Sequence, residues 1–309
     1  MTSSFLPQSV PRSRAGVLLV AHDAGGAELV TSLARREGLS GEVCASGPAR
    51  EICARKLPAW PASSLDAGVA RCEWVLTGTS WSSDHEWRAI AAARAMAKPS
   101  VAFLDHWVCY RERFVRGEVV ELPDELWVAD EWALDKATRE FPAARIALVG
   151  NPYLADQAEA LERLPRRRRP DDPTVLFLGE PISDQAVQWH GNSQHYGYTE
   201  HEALEFFFEA RASLGLGQHR VLLRRHPSEA VDKYAWAFCR YRGVLEPAGT
   251  RTLLEEINDA TVVAGCESMA LVTAVIARRR VLCCIPPGGP PCSLPHSEIE
   301  MIRELVSRR

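Results

Sequence analysis

The chain has 309 residues, 46% of them hydrophobic and 25% charged, with a formal net charge of −4 at pH 7. That length exceeds what one hydrophobic core usually organises and predicts two domains, while the acidic balance lacks the basic face expected of a nucleic-acid partner. No apolar stretch reaches the roughly 18 residues of a spanning helix, so the expectation is a cytoplasmic protein, with peripheral contact at the inner face of a membrane left open.

Met1–Ala15 is polar, carries Pro7 and Pro11, and reads as a loose leader rather than a signal peptide. Val17–Ala21 is the first apolar run; it leads into the segment HDAGGAE and a helical stretch, Glu28–Arg36. Trp74–Leu76 is followed by TGTS and a second helical stretch, Glu86–Ala97. Ser100–Leu104 ends at Asp105, and Glu125–Ala129 and Ile146–Val149 close the series. Strand, loop and helix alternating at this spacing predict a parallel sheet with helices on its faces.

Beyond Val149-Gly150-Asn151-Pro152 the pattern breaks, and the run Arg166–Arg169, bracketed by prolines, reads as a solvated linker. It restarts with Val175–Leu178, continues through the polar stretch Glu180–Tyr198, taken as a loop that is either a lid or an excursion, and reaches a helix, Glu200–Leu214. Thr199 and Glu202 have capping-box spacing ahead of that helix. Arg220–Leu223, Thr261–Ala264 and Arg280–Ile285 are further strands. After PPGGPP a short helix is expected, with Ser297 and Glu300 as its capping pair and Ile299, Ile302, Leu305 and Val306 on one face. The expected boundaries are a leader over 1–15, a Rossmann-like domain over 16–152, a linker over 153–173, a second Rossmann-like domain over 174–292, and a terminal helix over 293–309 packing back on the first domain.

Open parallel sheets bind ligands at the carboxyl ends of their strands. His22 and Asp23 stand there after the first strand, and Gly25 and Gly26 allow close backbone approach at a helix start that offers N–H groups to an anion. The G-x-G-x-x-G fingerprint is absent, which counts against NAD or FAD. Asp105 and His106 end another strand and suit a general base or hydroxyl binding, or else a helix cap and a surface imidazole. Thr79 and Ser80 form a third strand-end loop suited to close packing on a ligand. Trp107, Tyr110 and Phe114 read as core, and Arg111 and Arg113 as solvated.

In the second half, Arg224, Arg225, His226 and Pro227 end a strand, so that His226 and a neighbouring Arg suit a phosphate oxygen. Gly265, Cys266, Glu267, Ser268 and Met269 join a strand to an apolar helix whose opening suits a phosphate, with Glu267 placed for ribose hydroxyls. Nine cysteines are scattered along the chain. Cys283, Cys284, Cys292 and His296 match no common zinc spacing, and reduced, mostly buried thiols are expected.

The His226-Pro227 pair followed by Ser268 is similar to the CMP-binding pair of bacterial sialyltransferase-like and capsule-polymer transferases, and CDP-glycerol glycerophosphotransferases have a comparable His-Pro. Gly265–Ser268 with its helix resembles the nucleotide-binding region of UDP-N-acetylglucosamine 2-epimerases, and Val149–Pro152 resembles the strand closing the first domain of GT-B enzymes. Glu267 departs from the transferase pattern, where Ser or Gly is usual. The resemblance implies an α/β fold of two Rossmann-like domains facing a central cleft, the GT-B type. It also implies a glycosyltransferase that moves a sugar from a CMP-, CDP- or UDP-linked donor to a glycan or small-molecule acceptor, with no cofactor.

Within that reading Asp23 is the first candidate base and Asp105 the second, with His22 beside them. Arg224, His226, Gly265, Glu267, Ser268 and Met269 hold the nucleotide and its phosphate, and Gly25, Gly26, Thr79, Ser80 and His106 line the acceptor side. No D-x-D occurs, so no obligatory metal is expected. The alternatives are an epimerase or hydrolase of sugar nucleotides on the same scaffold, or a non-catalytic binder of them; oligomerisation is left open.

Overall fold

The computed structural model describes residues 14–165 and 172–307; most of the expected leader and the Arg166–Arg169 run lie outside the described residues. The chain divides into two compact units, Met1–Asp156 and Gln157–Arg309.

The first unit runs β1 (Val17–Ala21), α1 (Ala24–Arg36), β2 (Gly41–Ala45), α2 (Ala49–Lys56), α3 (Leu65–Arg71), β3 (Trp74–Thr77), α4 (His85–Ala95) and β4 (Ser100–Phe103). It continues with α5 (Tyr110–Phe114), β5 (Val115–Arg116), β6 (Val119–Val120), β7 (Glu125–Val128), α6 (Glu131–Glu140) and β8 (Ile146–Leu148). Six strands form one parallel sheet in the order β2-β1-β3-β4-β7-β8, and β5 and β6 make a separate small hairpin. Every residue of β1 is buried, which is why it reads as an unbroken apolar run rather than an alternating one.

Successive residues of β1 serve opposite faces. Val17, Leu19 and Ala21 join the core that holds Trp74, Phe103 and Trp127, while Leu18 and Val20 pack with Val75, Ala89 and Ala93 on the other side. Trp127 anchors the first of these layers, with its ring 6.4 Å from Trp74 and 6.1 Å, edge-on, from Phe103.

Helix α7 (Pro152–Arg163) follows β8 and covers part of what the sequence reading set aside as linker. The second unit then runs β9 (Thr174–Leu178), α8 (Ile182–His190), α9 (Glu200–Ala210), β10 (Arg220–Arg224), α10 (Ala235–Arg240) and β11 (Leu245–Pro247). After these come α11 (Leu253–Asp259), β12 (Val262–Gly265), α12 (Met269–Ile276), β13 (Arg280–Cys283), β14 (Ile299–Met301) and α13 (Ile302–Ser307). Its six parallel strands are ordered β11-β10-β9-β12-β13-β14. Two such parallel sheets, each with crossover helices, are the α/β architecture of the GT-B type.

Two expectations are corrected. The polar stretch Glu180–Tyr198 is not an open loop: α8 occupies its first half, burying Ile182 and Ala186 one turn apart and ending at Gly191 in the left-handed region, φ +68°. Ser297 and Glu300 do not cap a helix either. Ile299–Met301 instead adds the sixth strand, with Ile299 buried and Glu300 paired to Arg280 of β13 at 2.9 Å. Lateral pairing to an exposed strand edge satisfies three residues of backbone at once, which one turn of helix would not. The terminal helix α13 then packs on α9 of its own unit, with Ile302 buried. The Thr199–Glu202 capping box is present with both halves formed.

Replacing Trp127 by Ala empties the centre of the first core, and large-to-small changes of this kind cost about 3–5 kcal/mol. The urea midpoint of the first unit's unfolding, followed by near-ultraviolet circular dichroism, is expected to fall accordingly; an unmoved midpoint would mean this aromatic layer is not the core of the sheet.

Candidate functional site

In each sheet the strand order reverses at one place, and the carboxyl ends flanking it form the crevice where ligands of such sheets bind. In the first unit that place lies between β1 and β3; in the second it lies between β9 and β12. The residues singled out from sequence gather at these two points.

At the first, β1 ends in His22 and Asp23. The His22 ring meets the Ser46 hydroxyl through Nδ1 at 2.9 Å and lies flat against Gly47, where a Cβ would come within 2.6 Å of Cε1. Gly47 has φ +51°, so glycine there serves both the turn and the ring. Asp23 is the N-cap residue of α1 yet makes no side-chain cap. Its Oδ1 accepts from the Ser82 hydroxyl at 3.2 Å and lies 3.9 Å from His22 Nε2. Both side chains keep between a quarter and a third of their surface exposed.

Asp105 is in a different state. Its Oδ1 takes a 2.6 Å hydrogen bond from Arg113 Nη1 and a 3.2 Å one from the Thr79 hydroxyl, and Arg113 also binds Thr79 Oγ1 at 2.6 Å. Arg113, read from sequence as solvated, is buried, because its guanidinium neutralises a carboxylate that the fold encloses. Asp105 Oδ2 points at the first turn of α1: a Cβ on Gly25 would sit 2.4 Å from it. Gly26 is pressed against the backbone of Gly78 and Thr79 in the same way. These two glycines therefore let α1 close onto the β3 and β4 loops.

Ser80 is likewise committed, accepting from the backbone N–H groups of Ser82 and Ser83. His106 accepts the Trp107 N–H at Nδ1, which leaves Nε2 to carry the proton of the neutral ring. Burial lowers the His106 pKa, with Asp105 pulling the other way.

Sequence reasoning missed Glu86. It sits in the first turn of α4, is buried, accepts the His22 backbone N–H at 2.6 Å through Oε1, and leaves Oε2 without a hydrogen-bond partner. Its pKa is pushed up to about 7, mainly by burial, with the nearby charges of Asp23 and Asp105 adding to the rise and the His22 N–H opposing it. An acidic residue in a first helical turn is ordinary in a sequence; nothing local marks this one as turned inward.

At the second point, Glu180 follows β9 by two residues and reaches across to the turn that leads from β12 into α12. Its carboxylate accepts from the N–H groups of Cys266 at 2.6 Å and Glu267 at 3.0 Å. These N–H groups belong to the turn just before Ser268, the N-cap of α12, so an internal carboxylate already occupies the turn that leads into the helix expected to face a phosphate. Desolvation drives the Glu180 pKa up to about 7, against the pull of these backbone donors. Gly265 keeps the approach open, since a Cβ there would meet Glu180 Oε1 at 3.3 Å. Ser268 caps α12 by accepting the Ala270 N–H, the half-buried Met269 starts the helix, and Glu267 accepts the Ser293 N–H at 2.5 Å.

After β10, Arg224 is held by Glu256 at 2.6 Å and by the Arg251 carbonyl. Arg225 turns back onto the carbonyls of His226 and Glu229. His226 is exposed; its backbone N–H donates to Glu229 at 2.8 Å, and its Nδ1 accepts from the Ser228 N–H at 3.2 Å. The neutral ring therefore presents Nε2–H outward as a donor, the form suited to a phosphate oxygen. Behind it, buried Glu229 also accepts from Tyr234 and pairs with Lys233, which binds Glu200 at 2.6 Å.

Among the described residues no three His, Cys, Asp or Glu side chains converge as a metal site, and no helix is long and apolar enough to cross a membrane.

No protein-family model matches the chain, and no curated protein sequence is similar to it at a significant level. Solved structures are similar in fold. The UDP-GlcNAc 2-epimerase from Methanocaldococcus jannaschii superposes with a TM-score of 0.61 at 11% identity, over 94% of this chain and 90% of that one. The UDP-GlcNAc 2-epimerase from Neisseria meningitidis, bound to UDP-GlcNAc, gives 0.60 at 10% identity over the same shares, 94% and 90%. A glycosyltransferase of kitacinnamycin gives 0.52 at 13% identity, over 91% of this chain and 83% of that one. At these identities the likeness establishes the shared GT-B fold.

The titration of Glu86 has a defined sign. Its folded pKa of about 7 lies above the ordinary 4.5, so the native state binds a proton that the unfolded chain has released between those values. The stability this contributes is full below about pH 4.5 and is lost as pH rises through 7. Glu86→Gln is therefore expected to melt higher than the wild type at pH 8 and to shrink the melting-temperature difference between pH 5.5 and pH 8. An unchanged difference would show that Glu86 ionises freely in the native state.

Proposed function

We propose that the chain is a nucleotide-sugar enzyme of the transferase class, in which the second unit holds the nucleotide-sugar donor, the first holds the acceptor, and Asp23 takes the acceptor's proton. The contrast between the two aspartates of the first unit carries this reading. Asp105 is spent on Arg113 and Thr79, whereas Asp23 keeps a partly exposed carboxylate with only a serine hydroxyl and the edge of His22 against it. A general base needs a lone pair within reach of its proton, and Asp23 has one.

On the donor side His226 is an exposed residue whose Nδ1 meets the Ser228 N–H at 3.2 Å and the Ser228 hydroxyl at 2.7 Å, leaving Nε2 as the donor in this reading, while Glu229 holds its backbone. A donor placed there stabilises the charge that grows on a departing phosphate. Because Glu180 occupies the N–H groups of the turn before α12, a phosphate in this reading is held by His226 and the first N–H groups of α12, or takes the place of the Glu180 carboxylate.

A second reading is a sugar-nucleotide 2-epimerase, favoured by the two UDP-GlcNAc 2-epimerases among the structural neighbours. It needs no acceptor, so incubation with donor alone separates the two. An epimerase isomerises or consumes the donor at catalytic rates, and a transferase waits for its acceptor.

A thermal-shift series with CMP, CDP, UDP and GDP is expected to raise the melting temperature with at least one of them, since a ligand of the native state stabilises it by mass action. His226→Ala should weaken that nucleotide's affinity by about tenfold, the loss of one charge-assisted hydrogen bond. Asp23→Asn should lower kcat by about 100-fold or more with nucleotide affinity unchanged. Full turnover in Asp23→Asn with loss in Asp105→Asn would transfer the role of base to Asp105, and no shift with any nucleotide would remove the reading.

A further inference from the structure

Two cysteines meet beside the second unit's strand-end crevice. Cys283 ends β13 and is buried; Cys292 lies beyond the turn Pro286–Pro291 and is partly open to solvent. Both sulfurs converge on one backbone oxygen, that of Cys266, with Cys283 Sγ at 3.2 Å and Cys292 Sγ at 3.8 Å. The intervening turn is held by backbone packing rather than left loose. Gly197, with φ +76°, lies so close to Gly288 that a Cβ would sit 2.4 Å from its carbonyl oxygen, and Gly289 is wedged between Ile285 and Tyr198. On the far side of Cys292 the Ser293 N–H is bound to Glu267. Cys292 is thus tethered on both flanks against Cys283.

We propose that Cys283 and Cys292 form a dithiol modification site that oxidants convert to a disulfide. The division of labour follows from exposure. Peroxide reaches Cys292, the more open of the two; its pKa lies below that of a free thiol, chiefly through the Cys283 thiol and with help from the Leu294 N–H, while partial burial and the charges of Glu267 and Glu180 oppose the thiolate. The Cys292 sulfur attacks one peroxide oxygen, the O–O bond breaks, and sulfenic acid and water result. Buried Cys283 then attacks that sulfur, the S–O bond breaks, and a second water leaves as the S–S bond forms. Two thiols lose two electrons and two protons, and one peroxide is reduced to two waters. Cys284 takes no part, since it faces the other side of the strand end with its Sγ toward the Leu282 carbonyl. Among the described residues no third ligating side chain completes a metal site around the pair.

The test is hydrogen peroxide titration of the full-length reduced protein, with peptide mapping before and after dithiothreitol. Cys239, exposed and remote in sequence, is the internal comparator. A Cys283–Cys292 linked peptide, lighter by two hydrogens and restored by dithiothreitol, is expected before Cys239 reacts. In Cys283→Ser the sulfenic acid on Cys292 has no resolving partner and should be trapped by dimedone several-fold more than in the wild type. Oxidation confined to Cys239, a Cys292 disulfide to any other cysteine, or equal dimedone trapping in the two proteins would overturn the proposal. Because the wild-type map alone can decide, a variant that fails to fold leaves the test intact.

Discussion

Burying a carboxylate at the end of a parallel strand is costly unless donors meet it, and both sheets of this protein are organised around that constraint. Asp105, Glu86 and Glu180 each lie where strand-end loops converge, and each is answered differently. Asp105 has a buried arginine and a threonine hydroxyl. Glu180 has the backbone N–H groups of a turn. Glu86 has one N–H and one oxygen left without a partner, and burial pushes its pKa up to about 7. Much of the local geometry follows from these answers. Arg113 must come in from α5, Gly25 must lack a side chain so that Asp105 fits under α1, and Gly265 must lack one so that Glu180 can cross to α12.

The same accounting separates structural from chemical groups. A side chain that the fold needs for neutralisation has little freedom to act on a ligand, and this removes Arg224 and Thr79 from the foreground as firmly as Asp105. What remains is a short set with unused capacity: Asp23, the Nε2–H of His226, and the outer edge of His22. They belong to the turns at or beside the reversals of strand order, where the topology of an open sheet leaves room for a ligand.

Much of the scaffold is legible in the sequence, because strands buried on both faces are written as unbroken apolar runs. Val17–Ala21, Trp74–Thr77 and Thr174–Leu178 announce themselves in this way. The strands that escaped notice are the short or marginal ones. Gly41–Ala45, Leu245–Pro247 and Ile299–Met301 are sheet-edge strands of mixed polarity, whose existence depends on a neighbour and not on their own pattern. Ile299 fitted a helical stripe equally well, and the decision came from Arg280 and a free strand edge. Strand-end placement puts His22, Asp23, Asp105 and His226 at the ends of their strands, but the sequence does not show what each side chain touches. Arg113 and Glu86 look like any charged residues on a helix until the fold shows which way they face.

Glu180 is the case where local sequence logic and the folded molecule diverge most usefully. The opening of α12 has the features that attract an anion: a glycine, free N–H groups and a serine cap. Each was visible in the sequence, and a phosphate was the natural guess. The fold satisfies the same electrostatic demand with a carboxylate from the neighbouring strand, placed there by the pairing of β9 with β12. Because desolvation holds that carboxyl near the middle of its titration at neutral pH, the turn is bound to an internal anion that is only weakly committed to its charge. A neutral Glu180 gives up much of its hold on the N–H groups, since charge-assisted hydrogen bonds are about twice as strong as neutral ones. The turn before α12 thus has its N–H groups met from within the fold, by a carboxyl whose charge burial opposes.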